Sequence, residues 1–409
     1  MERTSLPGLA PPHARSGAAG GLQRLRQGLE SLGLKRLASY WQETLSATIA
    51  LVAAWQFSLL AFERHDNFQS NAYDLGFFDQ IIWNTSQGRF FETSFVDYNF
   101  LGQHFDPILL AFAGIYALGG GVKTLLLIQA ACVGVSSLPL FLATRRLTGN
   151  ALAGFACSGA FLLSAQLHTA LGFDFHPETL AFFFVFLSLY FLSSRRPRAA
   201  VIAVLPLLLL KEDLAMVTLA MAMIIALRGH RRAGALLAAV SITWAVVIVF
   251  GVMPLLRQGE ASDLALRYSY LFKGSSLLEL MPVAIYRGAV HLSHNTLLPI
   301  GRILASGGIV GLLSPFTMLL TAPNLLISGL ATHPQQSRLE LHYSVPTLAL
   351  VWVSVAFGLE QASRLLRGRA LALSMVGTAL LAIAALTFFV WSPYAPGRAQ
   401  SNLDSQHRQ

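Results

Sequence analysis

Two short stretches of this sequence hold ionisable side chains at spacings that could do chemistry. One reads Gly102-Gln103-His104-Phe105-Asp106-Pro107, the other Gly172-Phe173-Asp174-Phe175-His176-Pro177-Glu178. Each sets an aspartate and a histidine two residues apart and runs into a proline that opens an apolar segment. Proline suits the first position of a helix, so Asp106 and His176 are expected N-caps. Capping leaves His104, Asp174 and Glu178 without a role. Two neighbouring helix N-termini also favour an anion. His104, Asp106, His176 and Glu178 together offer the imidazole and carboxylate ligands that suit zinc or manganese, although their spacing is not that of an established metal motif. A divalent ion is therefore one candidate cofactor.

Further groups join these. Tyr73-Asp74 precedes Leu75, Phe78, Ile81 and Ile82, whose spacing predicts a helix lying in a membrane interface with Asp79 on it. Asp74 reads as a helix cap and Asp79 as part of a solvated face. Equally, the two acids beside so many aromatic rings suit a site for a sugar or a lipid-linked phosphate. Lys211-Glu212-Asp213 interrupts two apolar runs. Ionisable residues at such depth are costly and tend to be functional, though snorkelling at an interface serves as well. Arg267, with Tyr268, Tyr270 and Lys273 nearby, could grip a phosphate through two parallel hydrogen bonds. His342-Tyr343 opens a later apolar run. For each of these alone, a solvated loop is an adequate account.

The elements that must position them are transmembrane helices. Hydrophobic residues make up 54% of the 409 and charged residues only 12%, half the share of a soluble domain, and the mean hydropathy is +0.57. Apolar runs fall near 44–62, 123–144, 151–169, 178–194, 199–211, 213–228, 233–255, 288–306, 309–331, 343–359 and 370–391, predicting an all-α polytopic bundle of about 11 spans. Segment 107–118 is apolar but short, and is expected to be re-entrant or interfacial. Basic clusters at Arg145/Arg146, Arg195/Arg196/Arg198, Arg228/Arg231/Arg232 and Arg364/Arg367/Arg369 then share the side of the N-terminus, which the positive-inside rule makes cytoplasmic. The C-terminus is extracytoplasmic by the same count.

Residues 1–43 lack an uninterrupted apolar core. They read as a cytoplasmic basic amphipathic segment and not a cleavable signal peptide. Residues 44–392 form the membrane domain, with an outer loop at 63–107, and 393–409 a short outer tail. Most acidic residues outside the N-terminal segment fall on the outer side. The net charge of +9 is absorbed by the inner loops, so the lipid bilayer is the expected partner and nucleic acid is not. Cys132 and Cys157 lie within apolar runs and read as buried small hydrophobes.

The motifs YDLGFFDQIIWNTSQGRFF, GQHFDP, FDFHPETL, KEDLA and APNLLISGLATHPQQSRLELHYSVP together resemble the bacterial predicted membrane proteins grouped as domain of unknown function twenty seventy-nine, from about Phe68 to Gly358. The order of elements is in turn similar to GT-C membrane glycosyltransferases. That resemblance implies that Asp74 matches their first-loop acid and Asp174 their second-loop acid. The usual paired acid of the first loop is here Tyr-Asp-Leu-Gly. It further implies a plasma-membrane enzyme using a polyprenyl-phosphate sugar and a glycan or lipid acceptor. Asp74, Asp79 and Asp174 would then be the catalytic candidates, with Tyr73, Gln103, Lys211, Glu212, Arg267, His342 and Tyr343 binding substrate. A membrane carrier or flippase and a noncatalytic envelope-assembly protein remain as alternatives.

Overall fold

The computed structural model describes residues 40–262, 266–272 and 277–396, with only the backbone of 272 and 277–280. Met1–Leu45 and Ser46–Gln409 are separate units. Most of the N-terminal amphipathic segment, most of the C-terminal tail, and Lys273 lie outside the described residues. The described residues are helical, with no strand among them. The principal helices are α1 (Trp41–Asp66), α2 (Phe77–Ser86), α3 (Leu109–Ala117), α4 (Val122–Thr148), α5 (Ala151–Leu162) and α6 (Ala165–Leu171). They continue with α7 (Pro177–Ser193), α8 (Pro197–Leu210), α9 (Leu214–Leu227), α10 (Arg231–Arg257), α11 (Leu277–Asn295) and α12 (Leu297–Ala305). The last are α13 (Pro315–Leu330), α14 (Val345–Leu365) and α15 (Ala370–Trp391).

Among the described residues five helical stretches are long and apolar enough to cross a bilayer, and the bent pair α5–α6 makes up to six. The figure of about 11 is therefore not reached by length. Helix α9 has 14 residues, roughly 21 Å against a hydrocarbon core of about 30 Å. The apolar stretch 288–331 does not form two continuous spans. Gly307, at φ 122°, and Pro315 break it into α12, a 3-10 turn at Gly308–Leu313 and α13.

Side-chain and backbone contacts fix which helix ends lie together. At one end Lys123 pairs with Asp66, Arg64 reaches the Gly172 carbonyl, Arg257 reaches the Gly102 carbonyl, and His168 meets Ser392. At the other, Asn150 bonds to Ala370, Ser363 to Thr148 and Arg228 to Glu360. Segment 67–121 thus leaves and returns at the same end. Within it α3 has nine residues, roughly 13 Å, too short to cross.

Helix α14 holds the assembly together. Every residue from Val345 to Glu360 is buried, as expected of a helix that is apolar on all sides. Trp352 packs edge-on to Phe161. Gly358 lets the Val310 carbonyl approach so closely that a Cβ would collide with it, which seats the Gly308–Leu313 turn against α14.

Candidate functional site

Five segments at the Asp66 end of the bundle close around a polar cavity of about 260 Å³. The first loop supplies Tyr73, Asp74, Phe77, Phe78, Gln103 and His104, and the segment before α7 supplies Phe173 and His176. Lys211 comes from the α8–α9 junction, Arg267 from the segment after α10, and His333, Gln335, Leu341, His342 and Tyr343 from the approach to α14.

Local sequence explains how Asp74 reaches this cavity. Residues Ala72–Gly76 form a single π-helical turn that runs into α2, and such turns recur at functional sites. The turn is anchored from beneath, because the Asn71 N–H donates to Asp174 Oδ2 at 2.7 Å. Arg64 lies 3.6 Å from the other Asp174 oxygen and donates to the Gly172 and Gln69 carbonyls. Leu75, Phe78, Ile81 and Ile82 are all buried. The amphipathic spacing of α2 thus fixes one wall while Asp74 stays accessible.

Beside Asp74 stands a chain of paired groups. His176 Nε2 lies 3.5 Å from Asp74 Oδ1, and the His176 ring stacks on His342 with centroids 3.6 Å apart and planes at 15°. His342 Nε2 lies 3.8 Å from Glu178 Oε1, which accepts a 2.7 Å hydrogen bond from Lys211. The backbone places His342 and Tyr343 through left-handed turns at Leu339 (φ 51°) and Leu341 (φ 54°). Such conformations are costly for leucine and recur where a site requires them. From α4, Gln129 accepts from the His176 N–H at 2.8 Å and the Thr179 hydroxyl at 3.2 Å, holding the second motif in register.

A second cavity, of about 350 Å³, adjoins the first. His104, Lys211, Arg267 and Tyr343 line both. Its remaining lining includes Glu212, Asp213, Met216, Val246, Val249, Phe250 and Ile327. Val246 and Phe250 are exposed on the flank of α10, so this mostly apolar space reaches the side of the bundle. Arg267, at the junction, donates to Gln336 at 2.6 Å and has no carboxylate partner among the described residues. Lys211 is already committed to Glu178.

The expected site residues therefore divide. Tyr73, Asp74, Gln103, His104, His176, Lys211, Arg267, His342 and Tyr343 come together in the polar cavity. Asp174 is buried behind it. Burial pushes the Asp174 carboxyl above the usual range, and the Asn71 N–H and Arg64 only partly offset this. Asp79 lies outside the cavity lining and accepts from Tyr116 at 2.7 Å. Glu212 Oε1 is 3.0 Å from His104, and its second oxygen accepts from the Phe105 N–H, so it clamps the first motif to the start of α9.

Asp106 is buried, with Oδ1 unpartnered among the described residues. Burial, reinforced by Glu212, pushes its carboxyl well above the usual range. It is not a cap: Ile108 occupies the N-cap position of α3, which no side chain caps, while His176 occupies a cap position without its ring capping anything. His104 pairs with Glu212, His176 with Asp74 and Glu178 with Lys211, and no metal-holding group of three or more His, Cys, Asp or Glu occurs among the described residues. Arg64, Asn71, Gln129 and His333 were missed from sequence. Gln129, polar within an apolar run, carried a readable signal.

An all-helical membrane protein with a polar chamber at one end is the class that this fold and site define. The chain belongs to the family described as predicted membrane protein (DUF2079), whose model matches residues 64–404. No curated protein matches it significantly.

Proposed function

We propose that this protein is a GT-C-like integral-membrane glycosyltransferase that uses a polyprenyl-phosphate sugar at the extracytoplasmic face of the bacterial plasma membrane. The observation that carries the reading is the pair of adjoining cavities. One is polar, aromatic and acidic, the other apolar and open to the flank, and Arg267 stands between them without a carboxylate partner. A lipid-linked sugar phosphate has that sequence of chemistries, with the phosphate between chain and sugar.

In this reading the apolar space takes the first part of the lipid chain, Arg267 the phosphate, and the Asp74 chamber the sugar and acceptor. Asp74 accepts the proton of an acceptor hydroxyl as its oxygen bonds to the anomeric carbon. The bond from that carbon to the phosphate oxygen breaks, and the electron pair leaves with the lipid phosphate, whose charge Arg267 offsets. His176 holds Asp74 in place, and Asp174 positions the turn that carries it. A divalent ion is not required by these steps.

The alternation of helix ends supports nine passages, by α1, α4, α5–α6, α7, α8, α9, α10, α14 and α15, although α7, α8 and α9 are each shorter than the hydrocarbon core is thick. The α12–α13 stretch then enters and returns on the cavity side. This keeps the arginine clusters of the opposite end in the cytoplasm. The packed α14 beneath the chamber favours a one-sided site over a carrier path.

The test is purified protein in lipid nanodiscs with polyprenyl-phosphate sugars. Transfer or hydrolysis by the wild type and its loss in Asp74→Asn are expected. Absence of both activities in the wild type, with cellular glycans unchanged in Asp74→Asn, overturns the reading.

A further inference from the structure

A third cavity, a cleft of about 50 Å³, lies at the same end of the bundle and away from the chamber, between α6, α12, the turn before α14 and the end of α15. Arg302 and Arg338 both line it. Both are exposed, and neither has a carboxylate within salt-bridge distance among the described residues. Glu340 shares the lining but forms no ion pair with either arginine among the described residues. Two unneutralised guanidinium groups facing one small space would repel each other unless an anion joined them.

The cleft also has a buried wall. Gln166 is only 8% exposed, and its side-chain oxygen lies 3.0 Å from the Ser306 hydroxyl. Its amide nitrogen has no protein partner among the described residues and is not fully enclosed, so its N–H donors remain open to the cleft that Gln166 lines. With that oxygen engaged, the remaining N–H donors belong to the cleft.

Depth and surroundings identify the anion. Helix α15 has 22 residues, roughly 33 Å, so Trp391, which lines the cleft, falls at the boundary of the hydrocarbon core. Tryptophan is enriched there. Leu298 on α12 and Leu386 and Phe389 on α15 are exposed large hydrophobes on the two helices that flank the cleft. Phosphate-binding donors thus stand directly above a surface suited to acyl chains.

We infer that Arg302, Arg338 and Gln166 form a binding site for the phosphate headgroup of an anionic phospholipid, distinct from the chamber and independent of the proposed transfer reaction.

Delipidated full-length protein, re-supplied with phosphatidylglycerol or phosphatidylcholine and examined by native mass spectrometry, tests this. The wild type should retain phosphatidylglycerol in preference to phosphatidylcholine. R302Q/R338Q should bind it roughly thirtyfold more weakly, as each basic residue near a membrane surface contributes about fivefold. R338Q alone, at an exposed position, should weaken it about fivefold without loss of folding. R231Q/R232Q, at the opposite end of the bundle, should leave it unchanged. Equal retention of both lipids, unchanged binding in R338Q and the double variant, or complete displacement by millimolar inorganic phosphate would overturn the proposal, the last by showing a free-anion site.

Discussion

The two ends of the bundle treat buried carboxylates differently. At the far end Glu360 receives both terminal nitrogens of Arg228, at 2.7 and 3.0 Å, and a further bond from Arg364 at 2.7 Å, while Arg228 also lies over the Phe357 ring. Both oxygens are satisfied. At the chamber end, one oxygen each of Asp106, Glu178 and Asp213 has no partner among the described residues, and Asp74 meets His176 only at 3.5 Å. Saturated pairing locks helices together. Incomplete pairing of buried charge costs stability and is retained where a site needs it.

The sharpest way to break this contrast is Asp74→Asn. It should lower transfer in the nanodisc assay by about 10²- to 10⁴-fold with an unchanged melting curve, whereas Glu360→Gln should leave activity alone. Next, Lys211→Met should strand Glu178 and cost about 3–5 kcal/mol, read as a lower apparent melting temperature. The double change K211M/E178L should recover most of that loss. If Lys211→Met melts like the wild type, the pair is not a structural clamp.

Smaller effects follow. Glu360→Gln should cost about 1–3 kcal/mol, read by the same melting assay. Arg267→Gln should raise KM for the lipid-linked substrate about tenfold with a smaller change in kcat. An equal fall in kcat with KM unmoved would place Arg267 elsewhere in the reaction. The last is a pH effect. Asp106 has a folded-state value raised above the ordinary 3.8, so its stabilising share is present below that ordinary value and is lost as pH rises through the folded one. The wild type should therefore melt progressively earlier over that rise, and Asp106→Asn should flatten the dependence.

The polar constellation was legible because a membrane chain offers few other reasons for ionisable residues at the ends of apolar runs. Lys211 stood out on that ground, and His176 through the aspartate and histidine set two residues apart before a proline. Sequence could not separate Asp74 from Asp174. Both follow an aromatic residue near a helix start, and only the Asn71 contact shows which is buried. The 288–331 stretch misled because hydropathy averages over breaks. Its Ser306-Gly307-Gly308 and Ser314-Pro315 pairs were visible turn signals that length arguments overrode. Arg64 was hidden by its place at the end of a span, where a basic residue needs no explanation.

The encased helix has a temporal consequence. Val345–Leu365 leaves the ribosome after α4, α7 and the Gly308–Leu313 turn, yet it supplies the surface against which all three pack. Chains emerge from the N-terminus at about 5–20 residues per second. Until residue 345 emerges the earlier helices must therefore wait in the bilayer without their central partner, and a chain truncated before it would be inserted but hollow, an early target for membrane quality control.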